Sequence, residues 1–503
     1  MIGSPVQKGR PLAMSDAIPL PQHLDEVVDG LARNPALPPE LVHRLLGCRK
    51  GLGRVAKRPD LSDGLIAEIL AADDHWLTHS LALNRSLPQA VRMVLAEHPD
   101  PAIRTAVVIA ADGAPRELFE RLLDDPDPQV REHLAASDHV PADLRARLAT
   151  DPSAHVRATL AQGWTTAPEP VRRLLLTDPD DSVRAGACAI YFRRTPHPVP
   201  PPDLLPRLLA DPVTRAGAVR HCTLDTATAH RLAADPDDDV RRELAKHPDL
   251  PPALRDELAK DPDPSVALHI FARQDTPEAT RAAIHTRIVS DKPPLHWLAH
   301  DHDLDDDTLE REITGELARA ELRALHLPWV TTDPLPHVDS PYACFRASAA
   351  VSGRLPPPLV ARLLADEESN VRTTMALNAR DQVDPDTAER IDRTYRPDKR
   401  TGWRPADSLP LPTTALRRLA TDPDPRMRQL APRDPHLPVE SARRLAADPD
   451  PTVRLAIATH PRLPAEDLTR LLADPSESVA ATAAANPNLP TTVMHQLLAH
   501  AGL

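Results

Sequence analysis

Aromatic side chains are nearly missing from this chain: Phe, Trp and Tyr make up 2% of its 503 residues, against an apolar content of 41%. A large central core built on rings is thereby excluded, and the buried layer must be Leu, Ala and Val packed between small elements. Glycine is scarce too, at 15 residues, too few for loops that cradle phosphates. Neither a P-loop nor a dinucleotide-binding fingerprint occurs, nor does a G-x-S-x-G elbow or an HExxH pair. The four cysteines, Cys48, Cys188, Cys222 and Cys344, are scattered with no CxxC pair. Neither a disulfide framework nor a zinc site is expected from them; reduced, mostly buried thiols are. Positive charge is in deficit, with a formal net charge of −13, which disfavours nucleic acid as a partner because phosphate binding needs clustered Lys and Arg. No run of about 18 apolar residues exists, so no membrane partner is expected. The stretch Met1 to Leu20 carries Lys8 and Arg10 but no apolar signal core. The chain therefore reads as cytoplasmic, with a disordered tail over residues 1–22. High Arg, low Lys and abundant Ala and Pro point to a GC-rich bacterial genome.

What the chain does have is a repeat. An Asp-Pro-x-x-x-hydrophobic-basic phrase recurs at Asp125 to Arg131, Asp151 to Arg157, Asp178 to Arg184, Asp235 to Arg241, Asp422 to Arg428 and Asp448 to Arg454, and once more with an Ala ending at Asp474 to Ala480. Intact neighbours lie about 26 residues apart, the period of a solenoid whose units cannot bury their apolar faces alone. Proline, at 59 residues, returns at fixed points of the unit, as helix starts and loops require.

Asp125 to Thr150 serves as the type unit. Asp125-Pro126 and Asp127-Pro128 place side-chain acceptors before prolines, the pairing of an N-cap with a first helical position. Val130 and Leu134 then share a face with Ala135 beside them, Ser137-Asp138-His139 forms a loop, Val140-Pro141 opens a second helix, and Leu144 and Leu148 make its apolar stripe. Helices this short, at about 9 residues, fall below the length that is stable alone and must be held by stacking. The periodic aspartates and arginines read as caps and as ion-pair ladders between units, not as catalytic acids.

The full phrase, as in Asp448 to Arg454 followed by Leu455 to Pro464 and Leu468 to Ala473, resembles the leucine-rich repeat variant family through its motif DPxxxVRxxxAxxPxLPxxxLxxLLA. The resemblance covers most of the chain. It implies an all-α, right-handed α-solenoid of paired short helices, related in outline to HEAT repeats, with about 15–16 units here. The founding members also carry an N-terminal iron–sulfur cluster on clustered cysteines. This sequence has only Cys48 in that region, so no cofactor is expected.

The organisation expected is one repeat array over 23–275, irregular or degenerate repeats over 276–344, and a second array over 345–503 with an inserted loop at 390–408. Function is sought where the pattern breaks. The Pro-rich insertion at Tyr191 to Pro202 reads as a rigid spacer. The stretch Thr276 to Cys344 gathers Trp297, Trp329 and several histidines, with His296, His300 and His302 beside Asp301, Asp303, Asp305, Asp306 and Asp307. Part of that run has calcium-loop spacing, yet Asp306 stands where the loop requires Gly and Thr308 replaces an aliphatic residue, so no metal is expected. The third break, Arg390 to Pro405, reads RIDRTYRPDKRTGWRP. Aromatic and basic residues interleave there, and Tyr395, Arg396, Arg400, Trp403 and Arg404 are the expected partner-binding residues, of the types enriched at interface hot spots.

These observations favour a non-catalytic scaffold that binds a protein or an extended peptide, with no catalytic residue expected. The rival classes are a HEAT-repeat enzyme such as an alkylated-base DNA glycosylase, for which Trp164, Trp297 and Trp403 lie near acids and arginines, and a helical-repeat cofactor lyase or chaperone with a pocket in 276–344.

Overall fold

Asp125 and Asp127, the two aspartates that open the type unit, have separate tasks. Asp127 is the N-cap: its Oδ1 accepts from the Gln129 amide at 2.8 Å, and Pro128 takes the first helical position. Asp125 starts no helix. Its Oδ1 accepts from the Asp127 amide at 2.9 Å and folds the turn before the cap, the side-chain mimic of a backbone turn. The helix Pro128–Ala136 follows, then Ala142–Arg147 continued by a 3₁₀ turn, Leu148–Thr150. Pro141 is the N-cap of the second helix rather than its first residue, and no side chain caps it. Val130, Leu134, Leu144 and Leu148 are all buried as their spacing requires, each removing apolar surface worth about 1.5–3 kcal/mol.

The computed structural model describes residues 21–46, 52–192, 195–290, 306–395 and 402–503. Among them the chain is an α-solenoid of stacked helix pairs, with one two-strand exception in which Tyr191–Phe192 pairs antiparallel with Thr195–Pro196 at the Pro-rich insertion. No described helix is long and apolar enough to cross a membrane. By internal contact the chain forms two bodies, one of Pro115–Leu411 and one combining the chain before Pro115 with Pro412–Leu503.

Within the Pro115–Leu411 body, each first helix stacks on the next and an arginine ladder ties them. Arg157 Nε and Nη2 grip both oxygens of Asp178 in the following unit at 2.8 and 3.0 Å, while Nη1 donates to the Asp151 carbonyl at 2.8 Å. The same fork joins Arg131 to Asp151, Arg241 to Asp261 and Arg346 to Asp366. These are the inter-unit ion pairs expected from the period. Both ends are buried, Arg157 to 13% and Asp178 to 5% side-chain exposure, so bidentate geometry and the carbonyl contact are what make the charges tolerable. The hydrogen bond from Arg157 to Asp178 raises the arginine. Burial pushes the Asp178 carboxyl up, but its hydrogen bonds from Arg157 and the Asp180 amide prevail and hold it below the usual carboxylate range.

A second ladder runs along the C-terminal ends of the first helices, where carbonyls lack partners within the helix. Arg273 Nη1 donates to the carbonyls of Ala245 and His247 at 3.1 and 2.6 Å, and His247 Nε2 meets the Cys222 carbonyl at 3.0 Å. His247 Nδ1 accepts from the Asp249 amide, which fixes the proton on Nε2.

The other body carries both ladders too. Arg428 and Arg454 fork onto Asp448 and Asp474. Asn84 Nδ2 donates to the carbonyls of Ala56 and Arg58, both at 2.9 Å, and Asn486 Nδ2 to those of Ala458 and His460 at 2.8 and 3.3 Å. The same bond pattern then joins the two ends of the chain, because Asn34 Nδ2 donates to Ala484 and Asn486 at 2.9 and 2.7 Å. The helix Leu24–Ala32 lies on the helix Glu477–Ala484 as the next unit of one stack. Val27, Leu31, Leu41 and Leu45 share a single core with Leu468, Val479, Val493 and Leu497. Gly30 permits the approach: a Cβ there would lie 2.0 Å from the Ala481 carbonyl oxygen. Gly186 against Ala158 repeats the relation between consecutive units at 3.1 Å. The helix Leu24–Ala32 thus covers the face of the unit that contains Glu477–Ala484.

Candidate functional site

Tyr395 and Trp403 stand at the two ends of the basic segment in the third break, and their rings meet edge to face at 5.7 Å between centroids. Tyr395 follows the helix Pro385–Thr394, and Trp403 precedes the 3₁₀ turn Pro405–Asp407. What fixes the base of the segment is Asp392, fully buried, which accepts from Arg404 Nε at 3.0 Å and from the Ala406 amide at 2.9 Å. Arg404 Nη2 closes the fork on the same carboxylate. The Arg404 amide in turn donates to Asp407 at 2.8 Å. A buried carboxylate thus orders the chain on either side, and Arg404 is held by it. Arg396 and Arg400 lie outside the described residues.

The second break is an aromatic cluster around one guanidinium. Arg281 lies 5.1 Å from the Phe345 ring and 6.0 Å from those of Phe271 and Trp329, and donates to the carbonyls of Phe271 and Arg273 at 3.1 and 2.8 Å. Trp329 Nε1 donates to the Ala272 carbonyl at 2.9 Å, supplying the helix end that a carbonyl-ladder residue serves elsewhere. Tyr342 donates to Glu278 at 2.7 Å; burial and that hydrogen bond push its phenol up to about 12. With every polar atom named here engaged, the cluster repairs the stack where the repeat phrase fades. The helix Asp306–Ala324 completes this region, whereas His296, Trp297, His300, His302 and Asp301 to Asp305 lie outside the described residues.

A network of charges on neighbouring first helices escaped the sequence reading. Glu243, fully buried, meets Lys246 Nζ at 2.6 Å and Arg220 Nε at 3.2 Å, and His269 faces Glu321 at 3.6 Å. Burial, helped by Lys246 and Arg242, pushes His269 down to about 3, and burial raises the Glu321 carboxyl. The imidazole is therefore neutral at physiological pH. Trp76 was also missed. It is 72% exposed, at the second position of the helix His75–Ala82, where other units have Gln129, Ser182, Asp239, Ser265 or Thr452. The signal was present in the sequence: an aromatic after the cap Asp74, where a small or polar residue is the rule.

Of the tryptophans that prompted an enzyme reading, the two among the described residues pack separately, and Trp297 lies outside them. Trp164 is buried beneath Arg145, whose guanidinium lies 5.1 Å over the ring, and Trp403 packs on Tyr395. Among the described residues no three His, Cys, Asp or Glu side chains are placed to hold a metal. An iron–sulfur cluster needs thiolates at one locus, and Cys188, Cys222 and Cys344 sit singly in different units, so the described cysteines do not fit one. Cys48 lies outside the described residues.

Among solved structures, the chain is similar to a leucine-rich repeat variant with a novel repetitive structural motif, at 24% identity over 44% of this chain and 84% of that one, with a TM-score of 0.32. It is also similar to the karyopherin Kap121p bound to Ste12p, at 16% identity over 89% of this chain and 48% of that one, TM-score 0.26, and to Kap121p bound to RanGTP, at 16% identity over 89% and 49%, TM-score 0.21. The chain spans about half the length of the karyopherin chains it matches. No curated protein matches it. The family model described as leucine rich repeat variant matches residues 451–476, one unit of the array, and that unit is what the chain shares with the family.

Proposed function

We propose that the protein is a non-catalytic scaffold that binds an acidic, extended peptide or the acidic segment of a partner protein, and that the segment Tyr395 to Arg404 is a principal contact. The observation that carries this reading is the Tyr395–Trp403 pair, set on the buried Asp392–Arg404 fork. It makes a rigid base for a stretch containing Arg396, Lys399 and Arg400. Preorganised aromatic side chains give binding energy at small ordering cost. Arg404 contributes by anchoring the base, and Arg396 and Arg400 supply the charge. A frame of constant Asp, Arg and Leu positions, bearing different residues on the exposed parts of its helices, supports a recognition role over catalysis.

The test is fluorescence anisotropy against a set of labelled acidic peptides, with the wild type and with Arg400→Ala and Trp403→Ala combined. Peptides that bind should lose at least about tenfold in affinity, or about 1.4 kcal/mol, and should bind more weakly as salt rises. Retained affinity for every peptide in the double variant would remove this segment from the contact surface.

A further inference from the structure

We infer that the seam between the two chain ends is an interaction surface for a second copy of this chain. The seam is built from the devices that join consecutive units inside the array. The Asn34 amide serves the carbonyls of Ala484 and Asn486 as Asn486 serves those of Ala458 and His460. The apolar core runs through it without a break, and Gly30 lets the helix Leu24–Ala32 settle against Ala481. His23 adds a contact to the Pro475 carbonyl at 3.0 Å.

Among the described residues no disulfide spans this seam, and its two faces differ: one belongs to the unit of Leu24–Ala32, the other to that of Glu477–Ala484. Every molecule carries one of each. Two faces that fit within a chain fit equally between chains, which is the condition for exchange of an identical element between protomers. In one molecule the faces are held at a high effective concentration, so the closed form wins while that route is open. Blocking one face of a molecule frees its other face for a neighbour. The contact between copies is then head to tail, with the helix Leu24–Ala32 of one copy on the helix Glu477–Ala484 of the other.

The test is complementation. Gly30→Val places methyl groups against the Ala481 carbonyl and spoils the leading face. Ala481→Phe thickens the trailing helix at the same point and spoils the other. Each variant alone lacks one good face and should run as a monomer by size exclusion with light scattering. An equimolar mixture has one good face from each and should yield a one-to-one complex of twice the mass, with hydrogen exchange at Leu24–Ala32 slow only in the mixture and there only in the Ala481→Phe copy. A mixture that stays monomeric would overturn the proposal, as would self-association of either variant alone. So would slow exchange in Gly30→Val alone, because the close approach at Gly30 would then not be what holds the seam. Where valine prevents folding, judged by helical circular dichroism, Gly30→Ala makes the smallest addition at the same point and is read the same way.

Discussion

Asn34 gives one side-chain amide to two backbone carbonyls, those of Ala484 and Asn486, across separations of 450 and 452 residues. Asn84 makes the matching pair of bonds across 28 and 26 residues. The two should therefore have the same energetic weight despite the difference in sequence distance. Removing either amide leaves buried carbonyls without a donor, at about 1–3 kcal/mol. Asn34→Ala and Asn84→Ala should lower the urea midpoint by similar amounts. A null effect of Asn34→Ala beside a clear effect of Asn84→Ala would show that the ends do not meet as units of the stack.

The arginine forks predict an acid-sensitive stability. Asp178 and Asp448 are held below the usual carboxylate range: burial opposes this, and the forks from Arg157 and Arg428 overcome it. A depressed carboxylate contributes its stability above its unfolded value, here 3.8, and loses it as pH falls through the lower folded value. Asp178→Asn should destabilise by about 3 kcal/mol at neutral pH, as expected when one partner of a buried pair is removed. The gap to wild type should narrow below the carboxylate range. Chemical denaturation at a series of pH values measures this, and a gap independent of pH would contradict it.

Cys188 and Cys344 are both buried, and burial pushes each thiol up to about 12. Since the thiolate is the reactive form, neither should be alkylated at neutral pH in the folded protein. Both should label fully in denaturant, with peptide mass spectrometry as the readout. Rapid native labelling at either site would mean that its unit opens readily.

Trp76 is exposed and Trp164 lies under Arg145. Trp76→Ala should change stability by no more than about 0.5 kcal/mol, the usual range for surface positions, and should remove part of the iodide-quenchable fluorescence. Trp164→Phe should remove none of that fraction and should lower the unfolding midpoint.

The Asp–Arg ladder was legible in the sequence because one residue pair recurs at one spacing. The carbonyl ladder was not, although Asn34, Arg58, His247, His460 and Asn486 all stand before a proline. One task is performed there by three side-chain types that share only an N–H donor of suitable reach, so periodic identity vanishes while periodic chemistry remains. The contact between ends was invisible for the opposite reason. Asn34-Pro35 and Asn486-Pro487 spell what internal units spell, and a phrase common to all units cannot say which unit lies beside which. At the candidate contact segment, the aromatic and basic residues were readable as a compositional break. The role of Asp392 was not, because a lone aspartate in a helix with other acids carries no mark of full burial.

The fork geometry also has an evolutionary consequence. If the stretch Pro152 to Asp178 were lost, Asp151 would be joined to Pro179 and the phrase would read through unchanged. Arg131 would keep its carboxylate on Asp151, and Arg184 would find the Asp151 carbonyl in place of that of Asp178. Slippage during replication by one whole period is then a change that the fold does not punish locally. Gene length can drift in steps of a unit, while the loss of part of a unit parts a guanidinium from its acid wherever the cut falls between the two, as between Arg157 and Asp178.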